Sequence, residues 1–166
     1  SREYAVDPLE ILFVREVMRT SIVALPVDAA YDTLSHSLHG DSSRRRQHLY
    51  PVIGHDQELV GVVTRNELQA VADTAPDDGV APLAAILETR PIVAYPDESL
   101  RVVVYRMAET GLTRFPVLDR VHRRLVGMIA LTDLLKARGL NLEAEQRRER
   151  VLGARIVLPF GGKRKE

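Results

Sequence analysis

Apolar and polar positions along this chain follow two rhythms, and the same order of rhythms occurs twice. A short apolar run, Ile22 to Leu25, is stopped by Pro26, and its counterpart, Ile92 to Tyr95, is stopped by Pro96. Runs this brief read as short strands. Each is followed by a segment of helical period, Ala29 to Leu38 and Ser99 to Thr110; in the second, Leu100, Val103, Val104 and Met107 share one face. Gly40 and Gly111 stand where a left-handed residue closes a helix. "PVI" (51–53) and "PVL" (116–118) then read as buried strands, a polar turn follows, and "LVGVV" and "LVGMI" read as their antiparallel partners. A second helix is expected to open at Asn66 or Thr132, both good N-cap residue types. Glu67 or Asp133 then lies in its first turn, where the helix dipole favours an acid. Each half therefore reads strand, helix, strand, strand, helix, an α+β unit.

The two halves align residue by residue. Tyr50-Pro51-Val52 matches Phe115-Pro116-Val117, with the prolines 65 residues apart, and Leu59-Val60-Gly61 matches Leu125-Val126-Gly127, with the glycines 66 apart. Pro26 and Pro96 are 70 apart, so the first copy holds about five extra residues, most naturally in the loop from Gly40 to Gln47. "DTAPDDGVAP" (73–82) has the composition of a linker. The division that follows is a first unit over 14–73, a linker over 74–82, a second unit over 83–137 and a charged tail over 138–166.

Composition narrows the function classes. With 166 residues, 45% of them apolar, the chain can bury a core. Its 23 basic and 23 acidic side chains cancel, so there is no overall field to draw it onto nucleic acid, and any anion site is local. The absence of cysteine excludes disulfides and thiolate metal sites and favours a reducing compartment. The longest apolar run, around Leu125 to Leu135, falls far short of the ~20 residues of a membrane-spanning helix. The pattern opens at Ser1 in mid-course, as expected of a piece of a longer chain.

The doubled unit resembles a tandem pair of cystathionine-β-synthase (CBS) domains, a Bateman module, over roughly residues 14 to 137. The resemblance rests on the repeated aromatic-Pro-Val strand, the Leu-Val-Gly strand and the acid that opens the closing helix. It implies two β-α-β-β-α units packed through their sheets about a pseudo-twofold axis, with two equivalent clefts between them and further association into a homodimer. It also implies an adenine nucleotide, ATP, ADP or AMP, as regulatory ligand, with no obligatory cofactor. In the family the ribose is held by an acid six residues after the glycine and often by a hydroxyl three residues after it. Here the second unit has Asp133 and Ala130 at those positions, with Thr132 as a neighbouring hydroxyl, and the first has Glu67 and Thr64. Neither copy is complete. By the same resemblance, the first-choice cleft combines Asp133 and Thr132 with Thr20, Ser21, Ile22 and Val23, whose backbone would meet the base edge, and with His48, Leu49 and Tyr50. The second-choice cleft combines Thr64 and Glu67 with Thr89, Pro91, Ile92, Thr113 and Arg114. Arg65, Arg114, Arg138 and the Arg44-Arg45-Arg46 run are the phosphate candidates, because guanidinium suits bidentate phosphate contact.

Plainer roles compete with these. Thr132-Asp133 and Asn66-Glu67 serve as helix caps with or without a ligand, the arginine run reads as a solvated loop, and Tyr50 and Phe115 read as core. Asp32, His36 and His39 share a helical face, which is better read as a polar exterior than as a metal site. Five histidines without a matched nucleophile offer no catalytic constellation, so no enzyme is expected. The tail, "RRERVL…LPFG", is similar to the cytoplasmic C-terminus of some bacterial ClC chloride channels and transporters, and "DPLEILFVREVM" (7–18) suits a connection from such a partner. The expectation is a regulatory module on the cytosolic side of a membrane transporter or channel. A non-binding dimerisation scaffold and a regulator of an attached enzyme are the alternatives.

Overall fold

The computed structural model describes residues 6–39, 47–74 and 82–139. Two short helical turns, α1 (Pro8–Ile11) and α2 (Val14–Val17), lead into the first repeat. That repeat contains β1 (Leu25–Pro26), α3 (Tyr31–His39), β2 (Leu49–Ile53), β3 (Leu59–Thr64) and α4 (Arg65–Ala72). A 3-10 turn, Pro82–Ala85, precedes the second repeat, which contains α5 (Leu100–Thr110), β4 (Arg114–Leu118), β5 (Leu125–Ala130) and a helix, α6, over 131–139. The fold class is mixed α+β, as the alternating periodicities imply.

Each repeat is built on an antiparallel hairpin. β2 pairs with β3, and β4 with β5, with Val52 opposite Gly61 and Val117 opposite Gly127. β1 joins β2 in parallel, and its counterpart in the second repeat is a single parallel bridge from Ala94 to Val117. The run from Ile22 to Leu25 was expected to be that first strand. Ladder pairing starts only at Leu25 and continues into Pro26, because upstream backbone groups find other partners.

Helix termini follow local chemistry. Ser99 caps α5 through its side chain, and Gly111 closes it at φ +74°, donating its N–H to the Met107 carbonyl at 2.9 Å. Gly40 lies outside the described residues. The expected caps at Asn66 and Thr132 are corrected: both fall inside their helices. Thr64 caps α4 in a reciprocal box with Glu67. At the start of α6 the matching residue is Ala130, which has no side chain to cap with, and Asp133 reaches back to its N–H alone at 2.8 Å.

Two cores lie side by side. Leu25, Leu34, Leu38, Tyr50, Val52, Val63 and Leu68 fill the first; Ala94, Leu100, Val103, Met107, Phe115, Val117, Ile129 and Leu134 fill the second. The segment leading into each repeat completes the core of the other. Val14, Leu9, Leu12, Val17 and Met18 pack on the second core, while Leu83, Ile86 and Leu87 pack on the first. The hairpin turns meet symmetrically: Leu59 N–H donates to the Arg123 carbonyl at 3.2 Å, and Leu125 N–H donates to the Gln57 carbonyl at 3.1 Å. Gln57 and Arg123, both at positive φ, are matched positions of the repeat, so this contact marks the pseudo-twofold axis.

Candidate functional site

The exchange of leading segments creates two corners where the repeats meet at a helix N-terminus. At one, Arg19 exchanges backbone hydrogen bonds with Met128 of β5, donating at 2.8 Å and accepting at 2.9 Å. At the other, Glu88 does the same with Val62 of β3, at 3.1 and 3.0 Å. Both strand residues follow the landmark glycine. A Cβ on Gly127 would stand 2.7 Å from the Arg19 carbonyl, and one on Gly61 would press into Leu87 at 2.7 Å and into the Glu88 carbonyl. The two glycines are glycines because another backbone crosses them.

The first corner holds Asp133, the one buried charged residue among the described residues, with 8% of its surface exposed. One carboxylate oxygen accepts from Ala130 N–H at 2.8 Å and the other from Arg19 Nε at 2.8 Å. Arg19 Nη2 also points at Thr132 Oγ at 3.3 Å. Asp133 and Thr132 are therefore brought together with the start of the leading strand, where Thr20 and Ser21 are exposed and Ile22 is half-buried. Val23 uses its backbone on Gln47: its N–H donates to Gln47 Oε1 at 2.9 Å and its carbonyl accepts from Nε2 at 2.7 Å. His48 is exposed and its carbonyl accepts from Arg65 N–H at 2.8 Å, and Leu49 opens β2 half-buried. Tyr50 is fully buried with its hydroxyl accepting from Arg65 Nη1 at 2.8 Å, so it is core rather than a stacking platform.

The second corner is chemically different. Glu67 is exposed and turned back on its own cap, taking Thr64 N–H at 3.0 Å and the Thr64 hydroxyl at 2.8 Å on one oxygen. Glu88 stands in the place of Arg19, so this corner carries two acids where the other carries an ion pair. Thr89 and Thr113 are exposed, Pro91 is half-buried, and Ile92, also half-buried, packs on the second core. Among the described residues, Arg114 reaches only its neighbour Thr113, at 3.3 Å. The Val93 carbonyl, matched to that of Val23, accepts from Arg106 Nη1 at 3.1 Å, and Arg106 is also paired with Glu98.

Two of the arginines nominated for phosphate are spent on structure. Arg65 holds the Tyr50 hydroxyl and the Leu38 carbonyl, and Arg138 holds Asp7, the cap of α1, at 2.7 Å. Arg44, Arg45 and Arg46 lie outside the described residues. Asp32, His36 and His39 are exposed on α3, and among the described residues no three His, Asp or Glu side chains are placed to hold a metal ion. No helix among them is long and apolar enough to cross a membrane.

The sequence matches the CBS domain family twice, over residues 14–72 and 83–139. The chain belongs to the CBS domain family. Curated relatives include an uncharacterized protein of Methanocaldococcus jannaschii, 28% identical over 131 residues, and a homoserine O-acetyltransferase of Methanosphaerula palustris, 30% identical over 132 residues. These alignments take in 76% and 79% of this chain but only 42% and 25% of the relatives' own lengths. Among solved structures, the CBS domain pair of protein MJ0100, in complex with methylthioadenosine and S-adenosyl-L-methionine, superposes with a TM-score of 0.60 at 20% identity, covering 79% of this chain and 98% of that one. The cytosolic domain of the Mg2+ channel MgtE in complex with ATP gives 0.60 at 21% identity, covering 72% and 46%. These likenesses establish the fold.

Within this CBS pair, sequence reasoning missed Arg19, whose side chain engages the first corner, and Gln47, whose side chain holds Val23 and Leu49. Their signal was present but faint. Gln47 aligns with Leu112, a polar-to-apolar divergence next to a matched landmark, whereas Arg19 aligns with Thr89 and takes the place of Glu88 only through its backbone bridge.

Proposed function

We infer that this CBS pair is a regulatory module that takes an adenine nucleotide in the cleft of Asp133 and signals its occupancy to an attached protein. One observation carries the choice of cleft: Asp133 is buried at the first turn of α6, directly against the leading strand of the other repeat. A ribose there would find a carboxylate able to accept from both hydroxyls, with helix N–H groups beside it. Thr20, Ser21, Ile22, Val23, His48 and Leu49 line the approach, and Arg19, more than a third exposed, is the guanidinium nearest to meet phosphate. Glu67, folded onto Thr64 at a corner whose crossing residue, Glu88, is a second acid, is disfavoured for an anionic ligand. The adenosyl compounds and ATP held by the two solved CBS structures support the ligand class.

A nucleotide bound between the repeats changes their relative placement only through differential affinity, which biases whatever two-state partner is attached. We assign that partner to a membrane transporter or channel, with this module as its cytosolic homodimeric part. The MgtE likeness and the ClC-like flanks support this. The module has no catalytic role in this reading. The scaffold alternative has one observation in its favour, the Arg19–Asp133 ion pair that already fills the corner.

Calorimetric titration with ATP, ADP and AMP, on this chain and on Asp133→Asn and Glu67→Gln, separates the two. Saturable binding near one site per chain, weakened at least ten-fold by Asp133→Asn and untouched by Glu67→Gln, is expected. A folded sample that binds none of the three refutes nucleotide sensing and leaves the scaffold.

A further inference from the structure

Gln47 stands immediately ahead of β2 and spends its carboxamide on the backbone of a different segment. Its Oε1 accepts from Val23 N–H at 2.9 Å, and its Nε2 donates to the carbonyls of Val23, at 2.7 Å, and Leu49, at 3.0 Å. Nε2 has two hydrogens, so both are used. An acceptor and a donor side by side in one plane, gripping the N–H and carbonyl of a single residue, is the pattern a purine ring edge offers: adenine presents N1 beside its amino group, guanine O6 beside N1–H. The second repeat has no equivalent, because Leu112 stands at the matching position and the Val93 carbonyl goes to Arg106.

We propose that Gln47 is a built-in occupant of the Asp133 cleft, holding the Val23 backbone pair that a purine edge would hold, and that a nucleotide binds by displacing it. This rests on the nucleotide reading above and deepens it in two ways. The affinity of the chain is lowered by the equilibrium that keeps Gln47 seated, since only the open fraction is competent to bind. Displacement also breaks the side-chain link from Val23 to Leu49, so filling the cleft unties the leading strand from the start of β2. That gives the ligand a structural element to move. The Val23 pair accepts adenine and guanine edges alike, so base choice is not made there.

The test is calorimetric titration of the chain and of Gln47→Ala with ATP and GTP, each sample checked for folding by thermal melt. Three hydrogen bonds of modest net worth predict that Gln47→Ala binds ATP roughly five- to ten-fold more tightly. Equal or weaker binding by the variant, with the unaltered chain still binding, overturns the displacement and leaves the sensor standing. No binding by either overturns both. In the unaltered chain, the side-chain amide resonances of Gln47 are expected to move to solvent-exposed positions on saturation with ATP. Resonances that stay in place overturn the proposal independently of the variant.

Discussion

Asp133 is nearly out of water, so the groups that satisfy its two oxygens fix both its stability and its availability. Arg19→Ala leaves one oxygen without its guanidinium. Because Arg19 is itself more than a third exposed, the cost is expected at about 1–2 kcal/mol rather than the larger figure for a fully buried pair. A shift in the urea midpoint at constant slope measures it. Glu98 makes a second prediction. Burial would raise its carboxyl, yet the Arg106 guanidinium and the Tyr95 N–H more than offset this and hold it below the ordinary value of 4.5. A depressed carboxyl stabilises the fold above its unfolded value, and that contribution is lost as pH falls through the lower, folded value. Glu98→Gln is therefore expected to lower stability at neutral pH and flatten the acid limb of the melting profile below about pH 5. An unchanged limb would show that Glu98 is not one of its sources. At this scale the sequence marked Asp133 and Thr132 through their place after a glycine. It could not reveal that Arg19 sits on Asp133 or that Gln47 sits on Val23, because those contacts join residues 114 and 24 positions apart.

The helices and hairpins were legible because each is specified locally: alternating or 3.6-residue apolar spacing, a proline or glycine stop, a cap. The helix starts were misplaced by two residues because Asn66 and Thr132 are good cap types lying just beyond the true caps, and at Ala130 the cap's methyl side chain offers no hydrogen-bond acceptor. Two glycines that look alike in the sequence separate by mechanism. Gly111 is needed for its left-handed backbone, with nothing near its missing side chain, so Gly111→Ala is expected to cost only about 1 kcal/mol. Gly127→Ala drives a methyl into the Arg19 backbone, where no flexible group can yield, and is expected to cost more than about 2 kcal/mol. It should also loosen Arg19 from Asp133. Comparing the two variants by denaturant unfolding tests whether the crossing segment is as tightly held as the geometry implies. Equal costs would contradict it.

For the whole molecule, the repeat was plain in the sequence but the exchange of leading segments was not. Sequence order puts residues 9–18 beside the first repeat, whereas they pack on the second core, and Leu83, fully buried, packs on the first. Only the positions of the landmark glycines hinted at a crossing backbone. Cut at the linker, each half therefore lacks part of its own core. Residues 1–74 and 82–166 expressed separately are expected to be unfolded by circular dichroism and to fold on mixing; halves that fold cooperatively alone would refute the exchange. The same exchange makes each corner a joint property of both repeats, so a ligand bound there would report on their arrangement. The central claim, that the Asp133 corner is the nucleotide site, is tested most directly by amide chemical-shift mapping during titration with ATP. Saturable shifts concentrated at Arg19 to Val23 and at Ala130 to Asp133 are expected. Shifts confined to Thr64, Glu67 and Ile92, or none at millimolar ATP, would contradict it.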